Sequence, residues 1–462
     1  MDAAVISFGN KSNPAITQTT TATITTATIN MFCGPSCVNT TISTSSRLAF
    51  YSFDNSTSDA TGYYSMSGIA SPNYVRGWIG SAINFSYNNT QFLSTSHIPL
   101  NSRSFTIDFW FYATDVSSTL DFSFGGEMQS SSNSKCLFMN IRNKVLYFGF
   151  YSADTAGTTN ISINQWYHAA FVYDNSTKRQ SIYLNGILEK SSILNKAFLA
   201  NNGSFTIGGA YIGGGTTPIV YYSGYIDHFT ISSRIKSPCE IYLAATLACY
   251  FRFDSISLLI DSGPNFLTAT NTGAITTAVA GRVNQALQFS SILSYVTING
   301  ISVLSSTNNA FTISMWIKPT SVTGGATLIH ASTQPDGKGD CLAMWGLTST
   351  GLMTVNIIDM SNNIVTMTTS SALPLNTWTH IAQVFSSIGG NLLYINGTFV
   401  ASVSTVTRRP AGPYTILGAS PANTSYCKAG SISMGQFSGS IDEYYVFERA
   451  LTSIDICRLA NP

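Results

Sequence analysis

The chain has 462 residues, about three times a common domain length. Hydrophobic residues make up 44% and aromatic residues 12%, which excludes an unfolded chain. Only 9% of residues are charged and the net charge is +1, from 22 basic and 21 acidic groups, so no long-range field exists to grip nucleic acid or an anionic membrane.

Residues 1–46 form the first unit. From Thr17 to Thr28 eight of twelve residues are threonine, and no charge falls between Thr19 and Ile29. Thr and Ile favour extended chain. Ala3-Ala-Val-Ile-Ser-Phe8 is a short apolar tip. A single strand cannot pair its own N–H and C=O groups. This arm therefore reads either as an O-glycosylated stalk or as a donor strand for another copy. In the donor reading Ala3, Val5, Ile6, Phe8, Ile24 and Ile29 make the polymer contact. The opening MDAAVISFGN lacks a basic start and a long apolar run. Secretion would then require a leader removed ahead of this numbering.

Beyond residue 46 the chain repeats itself. Phe50-Tyr-Ser-Phe-Asp54 returns as Tyr250-Phe-Arg-Phe-Asp254, and Phe105-Thr-Ile-Asp-Phe-Trp110 as Phe311-Thr-Ile-Ser-Met-Trp316. Trp166-Tyr-His168 returns as Trp378-Thr-His380, Ile182-Tyr-Leu-Asn-Gly186 as Leu393-Tyr-Ile-Asn-Gly397, and Ser223-Gly-Tyr-Ile-Asp227 as Ser438-Gly-Ser-Ile-Asp442. The spacing drifts from 200 to 215 residues, as small loop insertions would make it. Two copies of one domain are expected at 47–238 and 248–462, joined by a short apolar linker at 239–247. Apolar residues alternate within the matched segments, and Asn-Gly closes a hairpin in each copy. The expected class is all-β: two tandem antiparallel jelly-roll sandwiches behind an extended arm. One short helix is expected after the last strand of each copy, at Ser237–Ala245 and Thr452–Ala460. The longest apolar run, Ile241–Phe251, has eleven residues interrupted by Thr246, against roughly 20 for a bilayer span.

Together the FTIxxW run, W-x-H-x-A, Y-x-N-G and G-x-I-D resemble the LamG-like jelly roll of the concanavalin A-like lectin/glucanase superfamily. Gly77…Ala82…Phe85 and Gly281…Ala286…Phe289 fit its early G…A-L-x-F strand. The resemblance covers both repeats and leaves out residues 1–46. It implies lectins, adhesion modules or glucanases. It also implies neighbouring first and last strands, hence a Cys249–Cys457 disulfide. Cys341 would then pair with Cys427, and Cys33 and Cys37 would bridge to Cys136 and Cys239, unless 33 and 37 close locally. Eight cysteines without CxxC pairs point to an oxidising compartment rather than zinc.

Ten N-x-S/T sequons, at Asn10, Asn39, Asn55, Asn84, Asn88, Asn160, Asn175, Asn202, Asn396 and Asn423, read as attachment points for covalent glycans that solubilise a charge-poor extracellular surface. Glucanases of the family carry E-x-D-x-x-E on one strand, and no such run occurs. The five glutamates are scattered, so no enzyme is expected. His168 and His380 read as half-buried structural histidines at strand starts. Asp54/Asp254 and Asp227/Asp442 recur in both copies, and Asp336 and Asp340 share a loop. Asp336, Asp340, Asp54 and Asp254 are candidate Ca2+ ligands, with carboxylates buttressing turns as the plainer reading. Tyr211, Tyr221, Tyr222 and Tyr225 read as a sugar-stacking surface, a subunit contact, or cross-strand aromatic packing.

The resulting expectation is a secreted, non-catalytic structural glycoprotein that polymerises head to tail with copies of itself. The alternative is a calcium-dependent, lectin-like adhesion module that binds glycans. Neither involves nucleic acid or a membrane span.

Overall fold

The computed structural model describes residues 33–69, 73–117, 120–130, 132–211, 220–273, 275–290 and 294–462. Asn10 and the polymer-contact residues Ala3, Val5, Ile6, Phe8, Ile24 and Ile29 lie outside them.

Each repeat builds two facing antiparallel sheets, because its strands alternate residues that must leave water with residues that need not. At the centre of the first copy's larger sheet lies Phe105–Ala113, paired with Trp166–Asp174 on one side and Gly224–Ser232 on the other. The second copy repeats this with Phe311–Pro319 between Thr379–Ser386 and Gly439–Phe447. The second sheet of each sandwich follows the same plan, around Phe122–Met128 and Ala326–Ser332. Phe105, Ile107, Phe109 and Phe111 are fully buried in the first core; Phe311, Ile313, Met315 and Ile317 are fully buried in the second.

Register is broken at the same place in both copies. His228 and Glu443 follow the repeated Gly-x-Ile-Asp and adopt left-handed φ of 51° and 52°. This bulge turns Asp227 and Asp442 inward. Gly77 and Gly281 face those carboxylates so closely that a Cβ would stand 2.6 Å from the Oδ2 of Asp227 and of Asp442.

The expected helices form at Pro238–Ala244 and Ser453–Leu459. Ser237 and Thr452 cap them, each in a reciprocal capping box with Glu240 or Asp455. The 239–247 segment is thus mostly helix. Ile241 packs on the first sandwich against Ala170, Val172 and Tyr183. Leu243 and Leu247 pack with Val38, Tyr445 and Phe447 on the second. One helix is wedged against both bodies.

The disulfides keep the expected Cys341–Cys427 and Cys37–Cys239 links and correct Cys249–Cys457 and Cys33–Cys136. Cys33 bonds Cys457, Cys37 bonds Cys239, and Cys341 bonds Cys427. Cys249 points into the second core and is fully buried, whereas Cys457 sits on the outer helix beside the incoming segment at residue 33. Their strand and helix are neighbours, but their side chains face different ways. Cys136 is likewise buried, under Phe138 and Ala210, and out of reach of Cys33. Thiol titration is therefore expected to find no reactive cysteine in the native protein and two after unfolding; four after unfolding would contradict this pairing.

Candidate functional site

The repeated carboxylates each accept backbone amides. Asp54 accepts the Ser81 N–H at 2.7 Å, and Asp254 accepts the Gln285 N–H at 3.1 Å. Asp227 accepts from Ile79 N at 3.1 Å, and Asp442 from Arg282 N at 2.7 Å and Val283 N at 3.0 Å. Each pair of aspartates thus ties the turn before Ser81–Phe85 or Gln285–Phe289 to the body of its sandwich. Burial pushes the Asp442 carboxyl up to about 7, against the pull of the Val283 and Arg282 amides. Asp336 is exposed and pairs with Lys338 at 2.8 Å. Asp340 pairs with Arg409.

The histidines also have local partners. His168 Nε2 lies 3.8 Å from Asp108, which binds Lys236 Nζ at 2.5 Å. His380 Nε2 meets Ser314 Oγ at 2.8 Å, and burial pushes its ring down to about 3. Both backbone amides, His168 N and His380 N, donate at 2.9 Å to Asn185 and Asn396 of the Asn-Gly turns. The two histidines therefore pin their hairpins.

All five glutamates are engaged. Glu127 meets His97 at 2.8 Å, Glu189 accepts from Thr158 N, and Glu240 pairs with Arg234. Tyr250 donates to Glu443 at 2.7 Å, and Trp78 to Glu448 at 2.7 Å. Of the tyrosine group, Tyr222 is core, while Tyr225 stacks on Tyr112 at 4.9 Å and meets Trp166 at 6.3 Å. Tyr211 and Tyr221 lie edge-on to Phe92 and Tyr87. Cross-strand packing accounts for them.

The junction of the two sandwiches holds what sequence reading missed. Phe266 of the second copy packs on Phe50 of the first at 5.0 Å, beneath the Arg47 guanidinium at 3.7 Å. His228 Nε2 meets Asn265 O at 3.2 Å. Trp78 stacks on Trp110 at 4.3 Å, donates to Glu448, and offers its carbonyl to Ser302 Oγ. Beside this seam opens a cleft of about 910 Å³. Phe50, Asp54 and Arg76 line it from the first copy; Phe266, Asn299, Asp340, Arg409 and Tyr414 from the second. Arg76 reaches across to Ser305 Oγ, and Arg409 also holds Asn362 at 2.8 Å. Two of the four candidate calcium ligands, Asp54 and Asp340, thus stand on opposite walls of one cleft, while Asp254 and Asp336 lie elsewhere. The four charged lining residues, Asp54, Arg76, Asp340 and Arg409, sum to zero.

A laminin-G-type family model, described as the concanavalin A-like lectin/glucanases superfamily, matches residues 87–242 and 291–457. Those two regions make up more than half of the chain, which therefore belongs to this family as two tandem domains. Comparison with curated proteins gave no match. Among solved structures the chain is similar to domain 4 of an extracellular arabinanase from Geobacillus stearothermophilus, at 22% identity over 46% of this chain and 98% of that one, with a TM-score of 0.33. It is similar to the binding domain of botulinum neurotoxin serotype G, at 16% identity over 46% and 50%, with a TM-score of 0.36. It is also similar to domains LG4-5 of the mouse laminin alpha1 chain, at 13% identity over 83% and 94%, with a TM-score of 0.28. These likenesses concern the fold. Among the described residues no helix is long and apolar enough to cross a membrane.

Proposed function

We propose that the chain is an extracellular, non-catalytic binding protein that takes a neutral oligosaccharide into the cleft between its sandwiches. The observation that carries this reading is the cleft's lining. Half-buried aromatic rings at Phe266 and Tyr414 line the cleft and offer apolar surface to a sugar ring. The amide of Asn299 and the balanced charges of Asp54, Arg76, Asp340 and Arg409 suit its hydroxyls. Three disulfides support an oxidising compartment. The engagement of every glutamate in local contacts supports a role without acid–base chemistry.

On an array of neutral and acidic oligosaccharides, the full chain is expected to retain neutral members. Tyr414→Ala and Phe266→Ala are expected to weaken retention about five- to thirtyfold, since a lost sugar–aromatic contact removes about 1–2 kcal/mol. Retention unchanged in both variants would remove the cleft from the account. Asp340 already has Arg409 as its counter-ion, so a chelator is expected to leave binding unchanged.

Covalent glycans belong to the same reading. Asn39, Asn55, Asn88, Asn160, Asn202, Asn396 and Asn423 are exposed. Asn84 lies within a strand paired on both sides, and Asn175 donates its amide to Ser102 O at 2.9 Å. Glycopeptide mass spectrometry of secreted protein is expected to find sugar at Asn88, Asn160 and Asn202 and none at Asn175. A fully occupied Asn175 would contradict the hydrogen bond seen here.

The polymer reading keeps one supporting observation. Cys33 and Cys37 fix the root of the leader to both terminal helices, so an arm would leave the body from a fixed point. Removing residues 2–30 tests it by electron microscopy: unchanged assemblies would end the donor-strand proposal.

A further inference from the structure

The junction within the chain uses a loop and a socket, and each has a second copy elsewhere on the molecule. The loop is Asp261–Thr268 of the second sandwich. Asp261 shapes it by accepting Tyr250 N at 2.7 Å, and its Asn265 and Phe266 seat on Phe50, Arg47 and His228 of the first. By the repeat spacing, the first copy's equivalent is Asp59–Met66. Asp59 accepts Phe50 N there at 2.9 Å. Tyr63 holds the place of Asn265, and it is 82% exposed among the described residues.

The socket repeats too. Phe50 and His228 correspond to Tyr250 and Glu443. In the second copy these line an open pocket of about 240 Å³, together with Arg252, Tyr445 and the segment 38–42. The Arg252 guanidinium lies 5.4 Å from the Tyr250 ring, as Arg47 lies 5.0 Å from Phe50. The hydroxyls of Tyr250 and Tyr445 both donate to Glu443 Oε2, at 2.7 and 3.1 Å. Glu443 Oε1 has no partner among the described residues and remains an acceptor.

We propose that molecules associate head to tail, the loop around Tyr63 of one molecule entering the Tyr250–Arg252–Glu443 pocket of the next and repeating the contact that joins the two sandwiches of one chain. The fit is specific. Tyr63 stands for Asn265 and Glu443 for His228, so the Tyr63 hydroxyl is placed as a donor to Glu443, beside the Tyr250–Tyr445 stack at 4.0 Å. Loop and socket lie on different sandwiches, so the contact is heterologous. It propagates as an open chain unless the rotation closes. An interface centred on one aromatic side chain is small beside the roughly 1,200–2,000 Å² of stable complexes, so assembly depends on concentration. The proposal shares its head-to-tail sense with the polymer reading but needs none of residues 1–32.

Sedimentation velocity on the full chain tests it, using Tyr63→Ala to remove the plug and Arg252→Glu to spoil the socket. Both residues reach solvent, and circular dichroism checks that each variant stays folded. The wild type is expected to form species beyond the dimer as concentration rises through the micromolar range, and each variant to remain monomeric. An equimolar mixture retains one good plug and one good socket per pair and is expected to stop at the dimer. A monomeric wild type, variants that assemble like it, or a mixture that stays monomeric or grows past dimers would each overturn the proposal. Deleting residues 2–30 separates the two polymer ideas. Assembly that survives the deletion but not Tyr63→Ala belongs to the socket alone. Assembly lost on deletion and indifferent to Tyr63→Ala excludes the socket.

Discussion

Replacing Asp108 with alanine is expected to destabilise the first sandwich by about 3–5 kcal/mol, because it strands a buried ammonium. Lys236 Nζ sits 2.5 Å from Asp108, and both side chains are almost completely buried beside His168. Burial favours the neutral carboxyl, but the Lys236 charge and the His168 contact outweigh it and hold Asp108 down to about 2. The second sandwich solves the same position without charge. Ser314 stands for Asp108, His380 for His168 and Leu451 for Lys236. The surrounding frame is unchanged: Thr106 Oγ1 donates to Arg234 O and accepts from Lys236 N, as Thr312 Oγ1 donates to Arg449 O and accepts from Leu451 N. The double variant Asp108→Ser with Lys236→Leu is therefore expected to recover most of the loss. Thermal unfolding of the two single variants and the double variant measures this, and additive losses in the double variant would contradict it.

Arg408→Ala is expected to cost the second sandwich about 2–4 kcal/mol. The guanidinium is 2% exposed and donates to the carbonyls of Leu304 at 3.1 Å, Val303 at 3.0 Å and Ser306 at 2.6 Å. It also covers the rings of Phe311 and Phe385, at 5.1 and 5.5 Å. Burial alone lowers its proton affinity, to about 10, so it stays charged and keeps the Ser302–Ser305 turn closed. Without it Val303 O and Ser306 O lose this donor, while Leu304 O keeps the Ala411 N–H at 2.9 Å. Hydrogen exchange is expected to quicken in Phe311–Pro319 and to leave Phe105–Ala113 as it was. Equal acceleration in both strands would mean that the sandwiches unfold as one unit.

The fold is legible in the repeats of the sequence. Phe105–Trp110 and Phe311–Trp316 alternate because one face of each must be dry, and the helices at 238–244 and 453–459 follow from apolar runs behind Ser237 and Thr452. Disulfides were less legible. The partners of Cys239 and Cys457 depend on where residues 33–42 run, and that segment belongs to neither repeat. Of the candidate calcium ligands, Asp54 and Asp254 accept Ser81 N and Gln285 N in their turns. Duplication marks what both sandwiches need, which is structure. A cleft formed once, between them, leaves no repeated signal, so Phe266, Tyr414 and Arg409 stayed silent. One signal was available: aligning the copies sets Lys236 against Leu451 and His228 against Glu443, and such swaps at buried positions flag a charge with a dedicated partner.

Hydrogen exchange of the full chain with and without the neutral oligosaccharide best retained on the array tests the cleft most directly. Protection is predicted in the peptides holding Phe266 and Tyr414, on the second sandwich's wall, and in those holding Asp54 and Arg76 on the first. Protection confined to one sandwich, or to strands remote from the seam, would contradict a ligand held between the two.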